Sequence, residues 1–281
     1  MLREQHAALA VLALAATALG AQPAEKQHPE VAALVKSWED LYAKGTAFEL
    51  RADYQRLRAK ASQLAAKLGD DPAAADAYLV LARCCEVLGE YPEKDTAFER
   101  YVDLLERRSK DLAAAALRKE AERLIGIREL YPATSVLRLM LRKFPDGPNA
   151  AWALYRLGTT YLWMGEEEKA IEALREVVER WPKDQIAVEA TLRLARAHMA
   201  GEDPGEAVAV LEDFLKNHPK AKDRDAALFA LGVARQMTKD YYGAVATFLE
   251  LAHTAPNSPY TPAARAMVAQ LRARLIQRIA H

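Results

Sequence analysis

The chain has 281 residues, 51% hydrophobic and 28% charged, with 39 Lys and Arg balanced by 39 Asp and Glu. This composition supports a buried core and excludes disorder as the default, and a net charge of zero supplies no global field to draw the protein onto nucleic acid. Ala, Leu, Glu and Arg, which lose least on entering a helix, recur throughout while Gly and Pro are sparse, so an all-α fold is expected.

At the amino terminus, Met1 to His6 carries Arg3, and Ala7 to Ala18 is apolar apart from Thr17. Residues 1–21 are read as a signal peptide, because the apolar run is shorter than the roughly 20 residues a spanning helix needs. Ala16-Thr17-Ala18 and Ala18-Leu19-Gly20 both offer the small-x-small pattern of a cleavage site, and an uncleaved leader tethering the chain to the membrane is the alternative. Leu19-Gly20-Ala21 matches the start of a lipoprotein box, but Gln22 stands where the acylated Cys would be, so no lipid anchor is expected. The expected location is periplasmic or secreted.

Residues 28–70 are predicted to form a helical hairpin, His28 to Gly45 and Thr46 to Gly69, with Asp71-Pro72 as N-cap and first-turn Pro of the next helix. Cys84 and Cys85 are adjacent there, with Cα atoms about 3.8 Å apart, too close to bridge. They are expected to be packing residues. No metal, cofactor or catalytic set is expected, since CxxC, HExxH and any nucleophile–base spacing are missing.

Degenerate helix pairs follow over 71–147. One keeps Leu81, Ala82 and Gly89 and then takes a short insertion around Pro92 before Ala97, and the next keeps Leu117, Ala121, Ala133 and Leu137 with Glu120 in place of a Leu. The pattern sharpens over 148–258. Pro145, Pro182, Pro219 and Pro256 are each 37 residues apart, and between them Leu157-Gly158, Leu194-Ala195 and Leu231-Gly232 recur in register with Ala170, Ala207 and Ala244 and with Leu174, Leu211 and Phe248. Small residues permit a close helix crossing, while the large ones fill the space between successive pairs. Residues 259–281 are predicted as a C-terminal capping helix, with Arg265, Arg272, Arg274 and Arg278 and no acid; a basic patch for anionic lipid or cell-wall polymer is the second reading.

This register resembles the tetratricopeptide repeat over roughly Ala75 to Pro256, and its 37-residue period resembles bacterial envelope members of that family. The resemblance implies a right-handed α-solenoid of helix pairs, preceded here by the hairpin, whose first helices line a concave face. On that face it places Trp152, Tyr155, Thr159, Leu162 and Trp163, then Leu192, Arg196 and Met199, then Phe229, Val233, Gln236 and Met237. Trp, Tyr, Met and Arg suit a protein-binding surface. Packing of Trp152, Trp163 and Phe229 between helices is an equally open reading.

The positions that hold a peptide carboxylate in chaperone-binding relatives read Tyr155, Leu192 and Phe229, and Thr159, Arg196 and Val233, so an apolar segment laid along the groove is expected instead. The implied function is a protein-interaction scaffold of the bacterial cell envelope with other envelope proteins as partners, and no nucleic acid. A helical accessory domain or cofactor for a cell-wall enzyme, or a homo-oligomeric assembly module, are the alternatives. Catalysis by the chain itself is not expected.

Overall fold

In a computed structural model, which describes residues 28–46, 48–201 and 203–279, the chain folds into α-helices with one 3-10 turn and no strand among the described residues. The leader expectation lies outside the described residues. Two compact units divide between Leu117 and Arg118.

The first unit contains α1 (Pro29–Ala43), a 3-10 turn (Phe48–Leu50), α2 (Arg51–Leu68), α3 (Ala74–Leu88), α4 (Tyr91–Arg108) and the start of α5 (Lys110–Gly126). Helix α1 packs on both α2 and α3. Val31, Leu34 and Leu41 recur at helical spacing and meet Tyr54, Leu57 and Leu64 of α2 and Val80 and Cys84 of α3 in one apolar cluster. The Tyr54 hydroxyl donates to the Gly45 carbonyl at 3.0 Å, and burial pushes its ionisation up to about 12. Both cysteines are buried and free. Burial pushes Cys84 up to about 12 and Cys85 to about 11, so both remain thiols.

Two local expectations are corrected in this unit. Asp71-Pro72 does not begin α3: the Asp71 carboxylate accepts from the Ala73 N–H at 2.8 Å, folding these residues into a turn ahead of a helix that starts at Ala74. No insertion breaks the chain at Pro92 either. That Pro lies in the first turn of α4, where its missing N–H is not needed. The twelve-residue step that links Gly158 to Ala170 runs from Ala82 to Lys94, whose side chain is only 3% exposed. A Lys occupies the crossing where a small residue is expected, its stem covered by neighbouring helices.

The second unit continues with α6 (Leu130–Lys143), α7 (Ala150–Met164), α8 (Glu167–Arg180), α9 (Gln185–Ala200), α10 (Pro204–Asn217), α11 (Arg224–Met237), α12 (Tyr241–Thr254) and α13 (Thr261–Ile279). From α6 onward each helix packs on the next, and α9 also touches α7 and α11. Successive pairs α7/α8, α9/α10 and α11/α12 therefore stack with their first helices side by side. A Cβ on Gly158 would lie 2.7 Å from Leu174 Cγ, and one on Gly232 would lie 2.4 Å from Phe248 Cε1. Ala195 is buried at the equivalent place, as are Ala170, Ala207 and Ala244 opposite. Where the pattern lapses, Glu120 is 3% exposed and accepts from Arg123 at 2.8 and 3.0 Å, a paired charge in the Leu position.

The ends of the helices repeat as well. Phe144, Trp181, His218 and Ala255 each cap a second helix with φ between −133° and −124°. The Pro that follows each one disfavours the helical region at the residue before it. Between the helices of a pair, Gly165 (φ 73°) turns the chain so that the Glu166 N–H donates back to the Tyr161 carbonyl. Arg128 and Lys239 make the same turn at φ 66°. Helix α13 closes the unit by burying Ala264, Val268 and Leu271.

Candidate protein-binding site

Because α9 touches both α7 and α11, the outward residues of these three first helices form a continuous face. Its residues fall into three environments. Trp163, Arg196 and Met237 are exposed. Trp152, Tyr155, Leu162, Leu192, Met199, Phe229, Val233 and Gln236 are half-buried. Thr159 is buried, its hydroxyl donating to the Arg156 carbonyl at 3.0 Å, so the expectation that it faces a partner is corrected. A short β-branched hydroxyl can satisfy itself on its own helix in this way.

The half-buried residues divide further. Leu192 and Met199 pack on the core cluster formed by Leu211, Phe214 and Leu231. Phe229 and Val233 pack on the next cluster, and the Phe229 ring stacks 5.4 Å from Tyr260 and lies 5.7 Å from Phe248. Phe229 is thus held by neighbours on its inner side. Trp152 carries the Arg118 guanidinium 4.6 Å above its ring, and that same arginine donates to Glu122 and Asn149.

Trp163 is the large aromatic most open to solvent among these residues, at 47% exposure. The guanidinium carbons of Arg128 and Arg156 lie 5.3 and 6.0 Å from its ring centroid. Arg128 reaches it from the tight turn after α5, whose left-handed backbone projects the side chain across the end of α7. Two arginines that sequence reasoning missed therefore belong to the face: Arg156, whose Nε is buried without a partner, and Arg193, half-buried beside Arg196. Their signal was present, since they stand 37 residues apart one position beyond Tyr155 and Leu192. Gln236 Oε1 is likewise buried without a partner.

His198, on the inner side of α9, is 4% exposed. Burial first, and then the positive charge of Arg175, hold its ionisation below the usual imidazole value. Among the described residues no group of His, Cys, Asp and Glu is arranged to hold a metal ion. No helix there is long and apolar enough to cross a membrane.

Comparison with known proteins agrees with the helical pattern. Residues 148–279 match the family model YfiO, described as an outer membrane lipoprotein. No curated protein matches the sequence. Among solved structures, the apo form of RapI aligns with a TM-score of 0.54 at 12% identity, covering 87% of this chain and 72% of that one. YrrB, described as a TPR protein with an unusual peptide-binding site, aligns at 0.49 and 16% identity over 73% of this chain and 97% of its own. The type IV pilus biogenesis factor PilW gives 0.48 and 16% identity over 84% and 98%. The helix pairs of the second unit thus have a tetratricopeptide-like fold, and residues 148–279 are similar to the YfiO outer membrane lipoproteins.

Proposed function

We propose that the chain is a protein-interaction scaffold of the bacterial cell envelope, holding a segment of a partner protein on the face built by α7, α9 and α11. The observation that carries this reading is that α7 and α11 leave large side chains open at the equivalent position of their last turn, where α9 has Ala200 and opens Arg196 one turn earlier. Trp163 and Met237, two repeats apart, are 47% and 45% exposed, with Arg196 open between them. Large apolar groups left in water are otherwise a cost, and aromatic, Met and Arg side chains are those that dominate binding surfaces. The similarity of residues 148–279 to an outer membrane lipoprotein family supports an envelope location. A periplasmic or secreted chain is the form this takes if residues 1–21 are removed on export.

The test compares two aromatics with opposite assignments. A partner recovered from envelope extract on the purified chain is measured again with two variants. Trp163→Ala should weaken binding by about 2 kcal/mol or more while leaving the melting temperature nearly unchanged. Phe229→Ala should instead lower stability, by about 3 kcal/mol or more for loss of a well-packed ring. A Trp163→Ala variant that binds normally but melts early would overturn the proposal.

A further inference from the structure

Charge is sorted between the two layers of the second unit. The first helices α7, α9 and α11 carry five arginines against two acids, Glu189 and Asp225. The second helices α8, α10 and α12 carry nine acids against four Lys and Arg. Two of the five arginines are already paired: Arg224 with Glu250 at 2.8 Å and Arg235 with Glu212 at 2.6 Å. The other three, Arg156, Arg193 and Arg196, meet no carboxylate among the described residues.

These three lie on the outward face described above. Arg193 and Arg196 are one helical turn apart, Arg156 precedes Arg193 by one repeat, and Trp163, Leu192 and Met199 stand among them. Glu189, one turn before Arg193, is the acid that α9 adds to this face and offsets only part of the excess. A partner that covered these apolar groups would also strip water from the arginines, and a covered cation is costly unless the partner supplies an anion. A purely apolar occupant would leave that cost unmet.

We propose, on the basis of the protein-binding reading, that the occupant of this face is a polypeptide segment in which Asp or Glu residues are interspersed with large apolar ones. The carboxylates meet Arg193, Arg196 and Arg156, and the apolar side chains cover Trp163, Leu192 and Met199. An anionic polymer or a lipid surface fits less well. It would gain nothing from the apolar groups, and the acid-rich second helices would repel an extended anion, whereas a short segment responds to the charges within a Debye length.

Short random peptides displayed on phage and selected on the purified full chain would test this, with the selected sequences synthesised and their affinities measured by fluorescence anisotropy. The expected peptides are enriched in Asp and Glu beside Leu, Phe or Met. Their binding should weaken as salt is raised and fall about tenfold or more in the double variant Arg193→Glu, Arg196→Glu. Where charge reversal lowers the melting temperature, Arg193→Gln with Arg196→Gln replaces it. Peptides that lose affinity with Trp163→Ala but show no acidic enrichment would overturn this inference and leave the binding face standing. Peptides indifferent to Trp163→Ala and to the arginine variants alike would overturn both. Polyglutamate binding as tightly as the selected peptides would remove the apolar half of the proposal and so overturn it. Self-association of the chain that disappears in the double variant would make a second copy the occupant, with the same result.

Discussion

At the scale of single residues, Gly158 and Gly232 are set by what lies opposite them. Leu174 and Phe248 occupy the volume a Cβ would need, at 2.7 and 2.4 Å. Gly232→Ala should therefore cost about 1–3 kcal/mol through overpacking, and Leu174→Ala about 2–5 kcal/mol through the cavity it leaves. Urea midpoints unchanged in both would contradict this packing. Another position varies in polarity from repeat to repeat. Tyr161 accepts from Arg138 at 3.0 Å, and Arg235 donates to Glu212 at 2.6 Å. At the equivalent place His198 faces Arg175, with Asp203 and Glu206 nearby. Because the folded chain disfavours a charged His198, the unfolded chain takes up this proton more readily. The contribution is thus intact above the ordinary imidazole value and is lost as pH falls through it toward the lower folded value. His198→Tyr should flatten the decline in stability between pH 8 and pH 5, and denaturant titrations at both ends would reveal an unaltered slope if the assignment is wrong. The small crossing residues were legible because absence of a side chain survives as a pattern. Lys94, Glu120 and Thr159 were not, because a polar residue that satisfies itself inside looks in sequence like one that faces water.

At the scale of the helix, the turns that close α5, α7 and α11 each use a left-handed residue, Arg128, Gly165 and Lys239. A side chain costs about 1–2 kcal/mol in that conformation, partly offset by the greater freedom Gly has when unfolded. Lys239→Gly should consequently stabilise the chain by about 0.5–1 kcal/mol, and Gly165→Ala should destabilise it by a similar amount. Opposite shifts in the thermal midpoints of the two variants are the expected reading; shifts of one sign would mean the backbone relaxes. Arg128 is the instructive exception, since its strained backbone delivers a guanidinium to Trp163. The candidate face was legible as positions, because a helical period says which residues share a side. Its exposures were not: Leu192 and Phe229 read alike as outward apolar residues, and only the clusters beneath them reveal how much of each is held. The start of α3 was misplaced and an insertion was read at Pro92 for a related reason, because Pro signals a turn and a first helical residue equally well.

At the scale of the whole molecule, four prolines spaced by 37 residues and the small residues between them carried the all-helical, paired architecture. The amino-terminal helices lack that spacing, and their packing followed only from the apolar stripes of α1 and α2 meeting α3. In the second unit, packing runs from helix to helix in order and between neighbouring first helices. Its stability is then close to a sum of local parts. Removing Gln185 to Ala221, one 37-residue period, would join Asp184 to Lys222 in register and set α8 against α11. The shortened chain should still unfold cooperatively, at a lower midpoint, with its helical circular dichroism retained; an unfolded product would show that the pairs are not interchangeable. Stacking by neighbour thus makes length itself an adjustable trait, because whole periods can be gained or lost in descent without any surviving contact having to be reinvented.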